Sequence, residues 1–145
     1  MAKFCWIGLQ PSIYREGKTL KPEFTIGLSA ELEQETTDEH GVRHLGTGVR
    51  SVYSTPSMIA LMERTSIHLI KPYLEEGESS VGTKVNISHI AATPIGMKVH
   101  SKSTVKEING RRVVFAVEVH NEKEKIGEGT HERAVINIKK FTEKA

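Results

Sequence analysis

The stretch TPSMIALMERTSIHLI, residues 55–70, reads as a helix that is apolar nearly all the way round, with Glu63 in its middle. A helix wrapped in Met58, Ile59, Leu61, Met62, Ile67 and Leu69 belongs in a core. A carboxylate there is costly to bury unless it is paired, hydrogen-bonded or protonated. The next strong apolar segment, VGTKVNISHIAA at 81–92, carries His89 on its apolar face. Two titratable groups on core-facing surfaces point to chemistry.

Working outward, Ser54 or Thr55 can cap the helix, and Pro56 suits its first turn, where a missing N–H costs nothing. Pro72 and EEGESS mark its end. Before it, Phe24, Ile26, Leu28, Ala30 and Leu32 alternate with polar residues, the pattern of a half-buried strand. VRSVY offers a short strand leading into the helix. After it, everything is β-like. The expected strands are 81–92, 97–108, 111–120 and a long last one reaching Phe141, with a turn at 93–96 and a hairpin at Asn109-Gly110. Gly127 and Gly129 are the expected bulge sites.

Residues 1–23 are poorly periodic, so the chain divides into an N-terminal arm, 1–19, and one domain, 20–145. Strand, central helix, then an antiparallel meander of about four strands is an α+β order, and one long helix against a curved sheet is the hot-dog arrangement. Such a sheet leaves an edge strand open, and pairing two edges predicts a homodimer.

At 145 residues the chain is long enough to build its own core, and 37% hydrophobic with 26% charged residues describes a globular protein. A formal charge of +2 lacks the electrostatic footprint of a nucleic-acid binder. FCWIGL after a single lysine is too short for a signal segment or a membrane span. One cysteine, Cys5, excludes an intrachain disulfide, and a cytoplasmic protein is the expectation.

Glu63 is either a carboxylate at the helix rim, reaching solvent or a strand cation, or a general base or nucleophile toward an acyl carbon. On the following strand Val81, Thr83, Val85, Ile87, His89 and Ala91 share one face, so His89 points toward the helix. It is either a satisfied core histidine or a proton carrier tuned by Glu63. Thr55 is either a cap or a hydroxyl placed where backbone N–H groups can polarise a carbonyl. Eight residues, about 12 Å of helix, separate it from Glu63, so the two act apart or meet across a dimer. Gly82 permits close approach of a ligand or marks a bulge. His40 and His44 lie in a loop-like stretch that does not suit a metal, and His131-Glu132 lacks the second histidine of a zinc-protease helix. No phosphate-binding glycine loop, nucleophile elbow or CxxC is present.

STPSMIALMERTS, KPYLEEGESSVGTKVNISHIAATPIGMKV and GEGTHERAVINIKKF together resemble the fluoroacetyl-CoA thioesterase family over roughly residues 20–142. The resemblance implies a hot-dog dimer that hydrolyses acyl-CoA thioesters without metal or prosthetic group. It puts the family's catalytic threonine on Thr55, its glutamate on Glu63 and its histidine on His89. The glycine near the acyl group falls on Gly82, and the arginine of the GTHER segment on Arg133. The segment before the threonine, HLGTGVRSVYST, has Gly46 and Val49 where the fluoroacetyl-specific enzyme carries phenylalanines. That departure implies another acyl-CoA, small or medium in size. The alternative reading is a module that binds acyl-CoA without hydrolysing it. A hot-dog hydratase would need an Asp–His pair beside the helix start, and none is there.

Overall fold

The computed structural model describes residues 20–145, so the expected arm, 1–19, and Cys5 lie outside the described residues. The elements are β1 (Ser29–Glu35), α1 (Thr55–Ile70), β2 (Glu78–His89), β3 (Lys98–Asn109), β4 (Arg112–Asn121), β5 (Lys125–Asn137) and α2 (Ile138–Lys144). The five strands form one antiparallel sheet in the order β1-β3-β4-β5-β2. It wraps α1, as the hot-dog reading expects. None of the described helices is long and apolar enough to cross a membrane.

Helix α1 occupies the expected 55–70 and turns Met58, Leu61, Met62, Leu69 and Ile70 into the core against Val99, Val105, Val113, Phe115, Val117 and Val119. Each such side chain contributes about 1.5–3 kcal/mol when fully buried. The helix is less completely buried than its apolar sequence suggests, because Ile67 is 39% exposed. Two hydroxyls on its buried face fix it to β3. Thr65 Oγ1 lies 2.7 Å from the Leu61 carbonyl and 2.9 Å from Ser101 Oγ. Ser66 Oγ lies 3.0 Å from the Met62 carbonyl and 2.7 Å from Ser103 Oγ. A hydroxyl has one proton, so when each helix hydroxyl donates to its carbonyl, the strand serines donate to the helix.

Several expectations are corrected. The first strand begins at Ser29, not Phe24. Residues 21–27 turn instead, with Gly27 at φ +98°, leaving Ile26 65% exposed while Phe24 packs its ring 5.1 Å from that of Tyr73. The last strand stops at Asn137, whose side chain accepts from Lys140 N and starts α2. VRSVY contributes only the isolated bridges Gly41–Tyr53 and Val52–Pro94. The meander covers β3–β5, whereas β2 crosses over to pair with β5 and forms one edge. The hairpin turn proper is Gly110-Arg111, since Asn109 pairs with Arg112.

Gly129 stands in register opposite Ile87 and Val117, whereas Gly127, opposite His89 on one side, borders the expected irregularity on the other, where Val119 pairs with Gly127 and His120 with Lys125. Both glycines are sites of close approach: a Cβ on Gly127 would press into Met58 Sδ, and one on Gly129 into the Asn86 carbonyl. A further bulge, in β2, lies between Gly82 and Lys84. It reverses the facing that simple alternation predicts. Ser80 and Gly82 lie toward the helix side, as Ile87 and His89 do, while Val81 packs on the far side with Ala134, Ile136 and Phe141 of a second small cluster. Thr83, expected to face inward, bonds the Glu132 carbonyl and carboxylate across the ladder.

Candidate active site

Two separate constellations flank α1. At its start, Ser54 is the cap: its Oγ accepts from Ser57 N at 3.2 Å. Thr55 is therefore free of capping, and its Oγ1 sits 2.8 Å from Nδ1 of His89. The helix supplies few free amides here. Pro56 has none, Ser57 N is held by the Ser54 side chain, and Met58 N by the Ser54 carbonyl. Thr55 N–H is the one amide of this turn not engaged in that way. Burial holds His89 below the ordinary histidine range, with a smaller opposing contribution from the Ala91 backbone. Its Nε2 is buried and has no partner among the described residues. Whichever way the Thr55–His89 proton lies, that nitrogen is left able to exchange one hydrogen bond with an incoming group.

A cleft of about 380 Å³ opens beside this pair, lined by Val42, Val52, Tyr53, Ile90, Ala91 and Ala92 together with Thr55 and His89. Tyr53 walls it without offering its hydroxyl. The phenol, buried and pushed up to about 12 chiefly by that burial, lies 2.8 Å from Gln34 Oε1 and 3.2 Å from the Ser57 carbonyl. A larger depression, about 500 Å³, lies on the far face of the sheet among residues such as Asn86, Ser88, Glu118 and Thr130 and contains none of these side chains.

Two turns along α1, Glu63 leaves the helix at its rim with 39% of its side chain exposed. Its Oε2 lies 3.5 Å from Nη1 of Arg133, which is 4% exposed. Arg133 is held from behind: Nε donates to Ser80 Oγ at 2.8 Å, and Nη2 to the Ser80 carbonyl at 2.9 Å. Gly82 lies against this group, and a Cβ there would fall 2.8 Å from Glu63 Oε2. Thr55 with His89, and Glu63 with Arg133 and Gly82, are thus brought together in pairs. The expected Glu63–His89 pairing is not made within one chain; Glu63 contacts Arg133 instead. Ser80 and His131 were missed by sequence reasoning. Ser80 is hidden by the bulge. His131 could have been found from its i,i+2 relation to Arg133 on one strand face.

The family model for fluoroacetyl-CoA-specific thioesterase matches residues 36–139. The fluoroacetyl-CoA thioesterase of Streptantibioticus cattleyicolor is 43% identical over 93 residues, 64% of this chain and 67% of that protein. The solved structure of the fluoroacetyl-CoA thioesterase FlK superposes with a TM-score of 0.78 at 35% identity, covering 83% of this chain and 94% of that one. A variant of FlK in complex with fluoroacetate and CoA superposes with a TM-score of 0.75 at 35% identity, covering 81% and 99%.

Proposed function

Because the chain belongs to the fluoroacetyl-CoA-specific thioesterase family, whose members are thioester hydrolases, we propose that it cleaves a small or medium acyl-CoA to the free acid and CoA, with no specificity for fluoroacetyl. The observation that carries this reading is the 2.8 Å Thr55–His89 hydrogen bond, which opens onto a small, largely apolar cleft. The cleft suits a short acyl chain, with its thioester carbonyl beside the Thr55 hydroxyl and amide. Glu63 acts on the attacking side, as base for water or as nucleophile. When water is the attacker, its oxygen bonds to the acyl carbon, its proton passes to the carboxylate, the C–S bond breaks and the thiolate leaves. Gly82 leaves room for the acyl group and Arg133 orients the carboxylate. The reaction needs no metal or prosthetic group.

Both constellations meet if β2 pairs antiparallel with a second copy. A two-fold axis at Asn86, with Thr83 left out of register as it is in the β2–β5 ladder, would set His89 opposite the partner subunit's Gly82, and so near the partner's Glu63. The exposed edge supports this: Val85 and Ile90 are 41% and 52% exposed. The loss of fluoroacetyl specificity is supported by the loop preceding Thr55. Gly46 and Gly48 there adopt φ of +99° and +79°, Val49 is exposed, and its one aromatic ring, Tyr53, is committed to the core.

The test is thiol release over a panel of acyl-CoAs, with Glu63→Gln and His89→Ala beside the wild type. Both variants should lose most activity on the best substrate. Unchanged rates would remove these residues from the chemistry. Tight acyl-CoA binding without turnover across the panel would instead identify a binding module.

A further inference from the structure

His131 lies in the middle of β5, 1% exposed, with its ring stacked against Phe115 at 6.5 Å between centroids. It belongs to none of the roles assigned above. Its two nitrogens have partners whose chemistry leaves no choice of tautomer. Nδ1 is 2.9 Å from the carbonyl of Lys84, beside the β2 bulge, and a carbonyl only accepts. Nε2 is 3.1 Å from Nη1 of Arg133, and a guanidinium only donates. The ring is therefore neutral, protonated on Nδ1, with its Nε2 lone pair turned to Arg133. Burial first, and the neighbouring guanidinium second, keep it neutral near pH 7, outweighing the Lys84 carbonyl, Glu63 and Glu132, which act the other way. Glu63 Oε2 lies 3.9 Å from Nε2, but two acceptors do not bond each other; both address Arg133.

We propose that His131 is the positioning residue of the Glu63 half-site: its Nε2 lone pair fixes the Arg133 guanidinium, which in turn aims the Glu63 carboxylate. The count of donors supports this. Ser80 takes Nε and Nη2 of Arg133, which locks the guanidinium at one edge, and His131 takes Nη1 at the other. One proton remains on Nη1 and one on Nη2, and Glu63 Oε2 lies 3.5 Å from Nη1 as an ion pair. Without His131 the Nη1 end has no acceptor inside the fold, and the guanidinium can tilt about its Ser80 anchor. Glu63 is more than a third exposed and has no other described partner, so its carboxylate would follow or be released to solvent. The proposal deepens the thioesterase reading and rests on it, but the tautomer does not.

Two measurements separate them. Histidine-selective ¹⁵N–¹H NMR at pH 7 should show His131 in the Nδ1–H form, against the Nε2–H form that free histidine prefers. An Nε2–H or doubly protonated ring would overturn the proposal whatever the enzyme does. Thiol release should then show kcat of His131→Leu down by about 10- to 100-fold with KM little changed, as for a displaced reacting group. His131→Gln, which keeps an acceptor at the end of its side chain, should recover most of that loss. His131→Leu folded to the wild-type Tm with full kcat, or Gln and Leu equally impaired, would refute the positioning role. Absence of turnover in the wild type, with the Nδ1–H tautomer in place, would overturn the thioesterase reading and with it the positioning of a reacting carboxylate.

Discussion

Replacing Gly82 by alanine adds one methyl group where the structure has almost no room for it. The new Cβ would lie 2.8 Å from Glu63 Oε2, 3.1 Å from His131 Cε1 and 3.4 Å from Arg133 Nη1. Ordinary contact starts near 3.4 Å, so something must yield by about 0.6 Å. His131 and Arg133 are buried and bonded on several sides, whereas Glu63 is half-exposed and flexible, so the carboxylate moves. Misplacing a reacting group by 1 Å costs about 100-fold, so 0.6 Å should cost roughly tenfold or more in kcat, about 1.4 kcal/mol of barrier. Stability should barely change. Gly82 is not at positive φ, and glycine to alanine at a compatible strand position gains about 0.4–1 kcal/mol, offsetting the adjustment of Glu63. Gly129→Ala is the counter-case: its φ of +154° and the Asn86 carbonyl forbid the methyl group, far from Glu63, so Tm should fall. Steady-state thiol release and a thermal melt on both variants check this. Wild-type kcat in Gly82→Ala, or a fall in its Tm matching that of Gly129→Ala, would refute the reasoning.

Adjacent hydroxyls at the helix start should behave oppositely. Ser54→Ala removes the cap and should cost about 1 kcal/mol of stability with kcat retained, while Thr55→Ala should leave Tm in place and reduce kcat, as melts and thiol release would show. His89 and His131 are both held below the ordinary value, so the unfolded chain binds their protons first. Their contribution is present above about pH 6.5 and is lost as pH falls from there through the folded values, which denaturant titrations at pH 5.5 and 7.5 would reveal as lower stability at the acid end. Sedimentation should give a species of twice 16.1 kDa, and a charge at the β2 edge, Val85→Glu, should shift it toward the monomer with loss of activity.

Much of this was legible from residue pattern. Helix α1 was readable because an apolar run bounded by Ser54, Pro56 and Pro72 leaves little else for the backbone to do. Strands β3 and β4 were readable because one face of each packs on the helix, which enforces period two. The bulge in β2 was not. Val81, Thr83 and Val85 alternate cleanly through it, and the apolar demand on Val81 comes from Phe141 of α2 on the other side of the sheet. The same run concealed Ser80 and gave Thr83 the wrong face. α2 itself was hidden because Ile136, Asn137, Ile138 and Lys139 carry on a strand-like alternation, which only Lys140 and Phe141 break. In the candidate site, His89 was readable from parity, whereas its Thr55 partner required the cap to fall on Ser54, one residue earlier. His131 looked like half a metal motif because only its neighbour in sequence was considered, not its neighbour on the strand face.

The Thr65–Ser101 and Ser66–Ser103 pairs have a consequence for how such a protein can diversify. They pin α1 axially, and Thr55 and Glu63 ride on the same rigid rod. The interval between the two chemical groups is then a constant of the scaffold, unavailable to drift without breaking bonds in a dry interior. The cleft wall is built differently. Val42 and Val52 stand at the two ends of a loop, held by the Gly41–Tyr53 and Val52–Pro94 bridges and by Ser51 Oγ on the Val42 carbonyl, so the stretch 43–50 between them can change length and bulk while the ends stay tied. Selection for a different acyl group can remodel that loop while the spacing of the reacting groups is inherited unchanged.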